Sequence, residues 1–387
     1  MDLIKYLEFK EELRNKLENE LSAESIERAR RDPHARRYPR PCGMTIHTGI
    51  GCTYSCTYCY IYDMGFPHKA RPYPLSGKEL LYALTLNPYV VLGPGGTMLA
   101  MGGSVTEPFL PETRDKALEY IEVLGPLGNP LQVSSKSVLG DDYIVRIREY
   151  APRISFLETV VCLRDCRRIE PPLAPPDPMD RLRFAGKLIK AGINTSLFIR
   201  PIIPNITDRD AREILLMAKE MGVKSVVLGT LRVTASIYER LKSIGIDLSL
   251  RLPSSRLGRE QVPIRARDLK DKIASLAREM SFRVYESACG ANIEAAGLGC
   301  YACKWGPCGD LSRLPNVDVG DVNEFIKYLG YSGRVEQLRD NKIVIRLDKG
   351  DARRVEALLR ELLRREVVIR GGFTKHHCVG GVCGDSD

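Results

Sequence analysis

The chain has 387 residues, 44% of them hydrophobic, and carries 58 Lys and Arg against 49 Asp and Glu, a formal net charge of +9. This length exceeds one average domain and suits a barrel of ~200–250 residues with one or two appendages, with enough apolar content for a sizeable core. Twelve cysteines in a large chain without a secretory leader read as reduced, metal-binding thiols rather than a disulfide framework. No run approaches the ~18 apolar residues of a membrane span, so a cytoplasmic location with no membrane partner is expected.

In chain order, an amphipathic charged stretch over 3–31 predicts a helix, which Pro33, Pro39 and Pro41 end in an extended, arginine-rich arm. Strand-like segments follow at 44–48, 97–101, 131–134, 154–161, 195–199, 225–228 and 282–286. Helical patterns lie between them, among others at 112–124, 178–191, 208–221 and 266–280. Such alternation predicts an α/β fold, a full or partial parallel barrel, with its active site on loops at the strand ends. The glycines of Leu92-Gly-Pro-Gly-Gly-Thr-Met precede a strand and no Lys-Ser/Thr follows, so they read as a turn and not a phosphate loop. Residues 321–371 read as a helix, a hairpin around Arg339-Asp-Asn-Lys, a charged helix ending near Arg365 and a last strand, a small α+β appendage. The expected organisation is an N-terminal helix and basic arm (1–42), a barrel (43–288), a cysteine-rich metal loop (289–315), the appendage (316–372) and a His/Cys tail (373–387).

A few residues after the first strand, Gly-Cys-Thr-Tyr-Ser-Cys-Thr-Tyr-Cys-Tyr places Cys52, Cys56 and Cys59 at Cys-x3-Cys-x2-Cys spacing. Three thiolates hold a four-iron cluster and leave one iron open to another ligand. A zinc site is the alternative; it usually shows four ligands in two close pairs, and only Cys42 and His47 lie nearby.

With Tyr58 just before the third cysteine and Tyr60 just after it, this run resembles the signature of the radical S-adenosylmethionine (SAM) superfamily. The resemblance implies that SAM occupies the open iron and is cleaved reductively to methionine and a 5′-deoxyadenosyl radical. An electron donor such as ferredoxin or flavodoxin would supply the electron. It also implies that small and polar residues after the second strand, Ser104, Thr106 and Glu107, hold the methionyl amino group, and that Lys136 after the third neutralises the carboxylate.

A narrower resemblance covers about 44–221. Glu107-Pro-Phe-Leu-Pro-Glu, Ser135-Lys-Ser, Ile169-Glu-Pro-Pro-Leu-Ala-Pro, Asp180-Arg-Leu, Ala191-Gly-Ile and Arg200-Pro-Ile-Ile-Pro-Asn-Ile-Thr-Asp are similar to the spore photoproduct lyase-like group. That group implies a [4Fe-4S] cluster on Cys52, Cys56 and Cys59, with cofactor contacts from Ser104, Lys136, Arg200 and the adjoining Tyr58. Spore photoproduct lyase itself has a cysteine hydrogen donor immediately before the serine corresponding to Ser104. Here that position is Gly103, so the resemblance does not extend to the hydrogen donor of lesion reversal.

A second constellation, Cys289, Cys300, Cys303 and Cys308, suits zinc or a fully ligated cluster. An auxiliary [4Fe-4S] cluster is favoured over zinc, because the protein is already loaded with iron and sulfide, and its place after a strand end is expected to bring it near the barrel mouth. Cys162 and Cys166 flank Leu-Arg-Asp at the end of the fourth strand and are candidate catalytic hydrogen donors or metal ligands, the alternative being buried inert thiols. His376, His377, Cys378 and Cys383 are metal-ligand types in a glycine-rich tail.

Arg28, Arg30, Arg31, Arg36, Arg37 and Arg40 in the arm, and Arg251, Arg256, Arg259, Arg265 and Arg267 in a later loop, suit phosphate backbones. The expected function is radical SAM modification of a nucleic acid, RNA ahead of DNA. A peptide or small-metabolite substrate is the alternative, and a non-enzymatic metal-binding nucleic-acid module the distant one.

Overall fold

A computed structural model describes residues 2–40, 43–171, 175–253 and 256–373; the expected His/Cys tail ligands and Cys42 lie outside the described residues. Seven strands make one sheet in chain order: β1 (Met44–Ile46), β2 (Leu99–Met101), β3 (Leu131–Ser135), β4 (Ser155–Thr159), β5 (Asn194–Ile202), β6 (Ser225–Thr230) and β7 (Arg283–Tyr285). Every neighbouring pair is parallel, with Leu99 opposite both Met44 and Leu131, and Val226 opposite both Leu197 and Val284. β1 and β7 pair on one side each, so the expected parallel barrel is partial rather than closed.

Helices cover the outer face, as parallel strands require. In chain order they are α1 (Ile4–Glu20), α2 (Ala23–Arg31), α3 (Gly77–Leu86), α4 (Arg114–Leu124), α5 (Asp141–Tyr150), α6 (Pro178–Lys190), α7 (Thr207–Glu220), α8 (Ala235–Ser243) and α9 (Arg267–Glu279). The one helix expected over 3–31 is two, because Ser22 turns extended and its side chain accepts from the Ser25 N–H, capping α2. On β4 the faces separate cleanly. Phe156 stacks on Phe109 and meets Phe184 of α6 edge-on, while its neighbour Leu157 points to the concave side with Val227 and Ala291.

Ala291 belongs to α10 (Ala288–Ala295), which turns back from β7 and fills the concave face. The Asn292 amide donates to Gln132 Oε1 at 2.9 Å, at the start of β3, and its nitrogen lies 2.6 Å from the Met98 sulfur, just before β2. The chain then builds the expected appendage from α11 (Val319–Tyr328), β8 (Ser332–Leu338), β9 (Lys342–Asp351), α12 (Ala352–Leu363) and β10 (Glu366–Phe373). β8 and β9 form the predicted antiparallel hairpin, and β10 adds parallel to β9. Leu3 shares the appendage core with Val322, Phe325 and Leu358. The glycine turn before β2 serves as a dock, since the Arg364 guanidinium donates to the carbonyls of Gly95 and Gly96. No helix among the described residues is long and apolar enough to cross a membrane.

The basic arm is fastened by a buried polar cluster. His34 Nδ1 lies 2.6 Å from Asp32 Oδ1, the Tyr73 hydroxyl donates to Asp32 Oδ2 at 2.7 Å, and Arg37 lies 3.0 Å from His47 Nε2. Burial lowers both imidazoles, opposed at His34 by Asp32, while His34 and Arg37 assist burial in taking His47 down to about 3. A histidine held below its unfolded value of ~6.5 stabilises the fold above that pH, and this stability is lost as pH falls toward the folded value. The melting temperature is therefore expected to fall by several degrees between pH 7 and pH 5, and less steeply in H47Q. Equal slopes in differential scanning calorimetry would contradict this.

Candidate metal centre

The loop leaving β1 contains no regular element from 52 to 70, so its shape comes from what grips it. Gly51 N–H donates to Val105 O at 3.0 Å and Cys52 N–H to Pro67 O at 3.2 Å. The Tyr62 hydroxyl donates to Cys52 O at 2.7 Å and accepts from Ser55 N–H, while the Tyr62 ring stacks on His68 at 3.8 Å.

Two arginines clamp the Cys56–Cys59 turn from opposite sides. On one side, Thr57 N–H donates to Ile169 O at 2.9 Å and the Tyr58 hydroxyl donates to Glu170, which is ion-paired with Arg181 of α6. Arg181 is 1% exposed and also donates to Thr159 O at the end of β4 and to Pro176 O. On the other side, Arg240 of α8 donates to Thr57 O at 3.0 Å and Cys59 O at 2.8 Å, and pairs with Asp63 at 3.0 Å.

Burial pushes the Cys52 thiol up to about 11 and those of Cys56 and Cys59 above the usual range. Lys136 opposes that rise at Cys56, and Lys136 with Arg240 at Cys59, so the site offers three thiols with two cations beside them. Among the described residues no three Cys, His, Asp or Glu side chains converge tightly enough to hold a single metal ion. Zinc draws its sulfurs to about 2.3 Å from one centre, whereas a four-iron cluster takes each thiolate at a different iron. A three-thiol donor set on one loop, with cations beside it, fits three irons of such a cluster.

The remaining expected residues divide. Lys136 Nζ stands 5.8 Å from the Tyr58 ring centroid. Its own burial lowers it, but Cys56, Glu170 and Glu107 outweigh that and hold it above its ordinary value. Arg200 is exposed and lies across Gly229, where a Cβ would come within 2.6 Å of it; with Arg40 it faces Tyr60. Ser104 is half-buried at the β2 end, where the Tyr60 hydroxyl donates to Gly103 O at 3.2 Å. Thr106 and Glu107 turn inward instead. Thr106 donates to Glu107 O, and the Glu107 carboxylate accepts from Ser135, Ser137 and the Lys136 N–H, shaping the end of β3. Tyr58 likewise spends its hydroxyl on Glu170. Gly102, at φ 137°, is required by the close approach of β2 to β3, since a Cβ there would lie 2.2 Å from Ser134 Oγ. Glu158 on β4 is fully buried with both carboxyl oxygens unpartnered, and burial raises it well above the usual carboxylate range.

Cys162 and Cys166 are joined in a disulfide, so neither is the thiol that hydrogen donation needs while that bond stands. Both are buried in the same apolar cluster as Cys56 and Tyr58. Of the second constellation, Cys300 and Cys308 face each other across a two-strand ribbon, with Cys303 between them and Cys289 at the start of α10. The expectation that this group reaches the mouth is corrected. Tyr301 N–H donates to Arg364 O, and Arg364 holds the turn before β2, so the ribbon lies toward the N-terminal strand ends, away from the loop of Cys52. The cause is α10, whose small Ala288 and Ala291 allow it to run back along the concave face.

Sequence reasoning missed Arg240, Asp63 and the Glu170–Arg181 pair as parts of the site. Glu170 and Arg181 fell within quoted motifs, Ile169-Glu-Pro and Asp180-Arg-Leu, but nothing in the spacing says that they meet.

No family model matches the chain. A stretch of 197 residues is 25% identical to an uncharacterized protein, ORF301, of Acidianus two-tailed virus, covering 46% of this chain and 63% of that protein. The chain thus spans less than two thirds of the curated relative it matches. Among solved structures, spore photoproduct lyase complexed with dinucleoside spore photoproduct aligns at a TM-score of 0.50 and 16% identity, over 61% of this chain and 74% of that one. Streptococcus suis SuiB bound to precursor peptide SuiA aligns at 0.43 and 10% identity, over 67% and 51%. The first likeness shows the fold: a partial barrel of the radical SAM type, as expected.

Removing Arg181 would strand the Glu170 carboxylate in a dry interior. R181M is expected to cost about 3–5 kcal/mol of stability in urea unfolding of the apoprotein, with part recovered in E170Q/R181M. A loss below about 1 kcal/mol would contradict the clamp.

Proposed function

We propose that the chain is a radical SAM enzyme that modifies a nucleic acid. The observation that carries this reading is the position of Cys52, Cys56 and Cys59 on the loop leaving β1 of a parallel partial barrel, with Lys136 after β3 facing Cys56 and Arg200 on β5 facing the same loop. A [4Fe-4S] cluster on that triad would supply, when reduced, the electron that splits a sulfur–carbon bond of SAM into methionine and a 5′-deoxyadenosyl radical, which removes hydrogen from a carbon.

The chain's own residues bind, orient and enclose. Lys136 offers a positive charge for the carboxylate of SAM. Ser104, with its neighbour's carbonyl already engaged by Tyr60, offers a hydroxyl for the amino group. Arg200, on β5, brings a further positive charge to bear on Tyr60 of the same loop. Thr106, Glu107 and Tyr58 build the wall behind them.

The nucleic-acid reading draws on the arginines that the fold leaves over. Arg28, Arg31, Arg251 and Arg267 pair with carboxylates and Arg37 donates to Thr45 O, so these have structural duties. Arg256, Arg259 and Arg265, between α8 and α9, are exposed and have no carboxylate partner among the described residues. The dinucleoside ligand of spore photoproduct lyase is in keeping with this class of substrate. At Gly103 a Cβ would meet nothing within 4 Å, so the position that carries a donor cysteine in that enzyme is open space here.

Anaerobic protein with dithionite and SAM is expected to release 5′-deoxyadenosine, and C56A to release none. K136M should raise the SAM requirement at least about tenfold, the loss of one charge-assisted contact. Release equal to a protein-free control would overturn the enzymatic reading. RNA and DNA should bind at low ionic strength and weaken steeply with salt, with a shallower slope in R256Q/R259Q/R265Q. Failure of both to bind at low salt would overturn the substrate and leave the radical chemistry standing.

A further inference from the structure

Arg240 reaches the cysteine loop from a helix roughly 180 residues further along the chain, and it is gripped at its own end. Its Nε donates to Thr57 O at 3.0 Å, one Nη to Cys59 O at 2.8 Å and the other to Asp63 Oδ1 at 3.0 Å. Asp63 in turn accepts from the Thr234 hydroxyl at 2.6 Å, and Thr234 caps α8 by accepting from the Ile237 N–H. All three nitrogens of the guanidinium fork are engaged, two on backbone carbonyls of one turn and one on the Asp63 carboxylate, and the side chain is 34% exposed. A staple that only tied α8 to the loop would need a single hydrogen bond to any carbonyl. This one takes the carbonyl of a cysteine and that of the residue following Cys56.

We infer that Arg240, held in place by Asp63 and Thr234, is a positioning residue for the cysteine triad, fixing the carbonyls of Thr57 and Cys59 and setting a positive charge beside the Cys59 sulfur. Hydrogen bonds and net charge around ligating sulfurs tune both retention and reduction potential of an iron–sulfur cluster. A nearby cation favours the reduced state, which carries one more negative charge, and so raises the potential. The planar fork matters for geometry, the charge for potential, and lysine preserves only the second.

The inference rests on the triad holding a cluster, and the experiment separates the two. Wild-type, R240Q and R240K full-length proteins are reconstituted anaerobically with iron and sulfide. Each is followed by redox titration with EPR detection, iron release to a chelator and thermal melting of the apoprotein. R240Q is expected to shift the midpoint potential downward and to shorten the iron half-life several-fold. R240K should keep a potential near wild type while losing iron faster than it. A wild-type cluster with the same potential and half-life in R240Q would overturn the inference alone, including where the R240Q apoprotein melts lower, since that marks a merely structural staple. Wild-type protein without a cluster would overturn this inference and the proposed function together.

Discussion

The turn carrying Cys56 and Cys59 closes on its own Cys59 N–H to Cys56 O hydrogen bond at 3.0 Å, and two arginines from distant parts of the chain hold that turn in place. Arg181 works through Glu170 and Tyr58 from inside the protein, and Arg240 works directly on carbonyl oxygens from the rim. The buried pair is the more demanding of the two. Desolvating both charges is costly, and the cost is met only because Arg181 also satisfies Thr159 O and Pro176 O and Glu170 also accepts from Tyr58. Such a pair has few alternative arrangements, which suits a loop proposed to bring three sulfurs to one cluster.

The same logic organises the rest of the strand ends. Glu107, which could have faced the cavity, instead gathers Ser135, Ser137 and the Lys136 backbone, and thereby fixes where the Lys136 side chain begins. The opposite end of the sheet is closed by other means. There α10 fills the concave face, and Arg364 ties the appendage to the turn before β2. The ribbon of Cys300, Cys303 and Cys308 consequently stands at the end of the partial barrel away from the loop of Cys52.

Much of this was legible in the sequence where a local signal suffices. The alternation of short apolar runs with helical patterns located all seven strands, and the spacing of Cys52, Cys56 and Cys59 located the loop. The hairpin and two helices of the appendage were equally visible. What was hidden depends on encounters between distant residues. Ser22 broke the first helix through a local cap that a charged, periodic stretch disguises. Nothing in Ala288 to Ala295 states that the helix runs backward along the concave face; that follows from fitting Ala291 against Leu157 and Val227. Clustered arginines in a sequence suit phosphate, yet Arg28 and Arg251 are taken by Glu79 and Asp268, partners 51 and 17 residues away. Thr106 and Glu107 were placed at the correct strand end, but their side-chain directions depend on β3.

The central claim is that the Cys52, Cys56 and Cys59 triad holds a four-iron cluster with one iron left for SAM. Mössbauer spectroscopy of anaerobically reconstituted, ⁵⁷Fe-enriched protein tests it most directly, with and without SAM, in wild type and in the C52A/C56A/C59A variant. The account predicts that the variant holds four fewer irons in four-iron clusters than wild type, and that in wild type alone one iron site changes when SAM is added. Wild-type protein that retains only zinc at the triad, or a four-iron spectrum that SAM leaves unaltered, would contradict it.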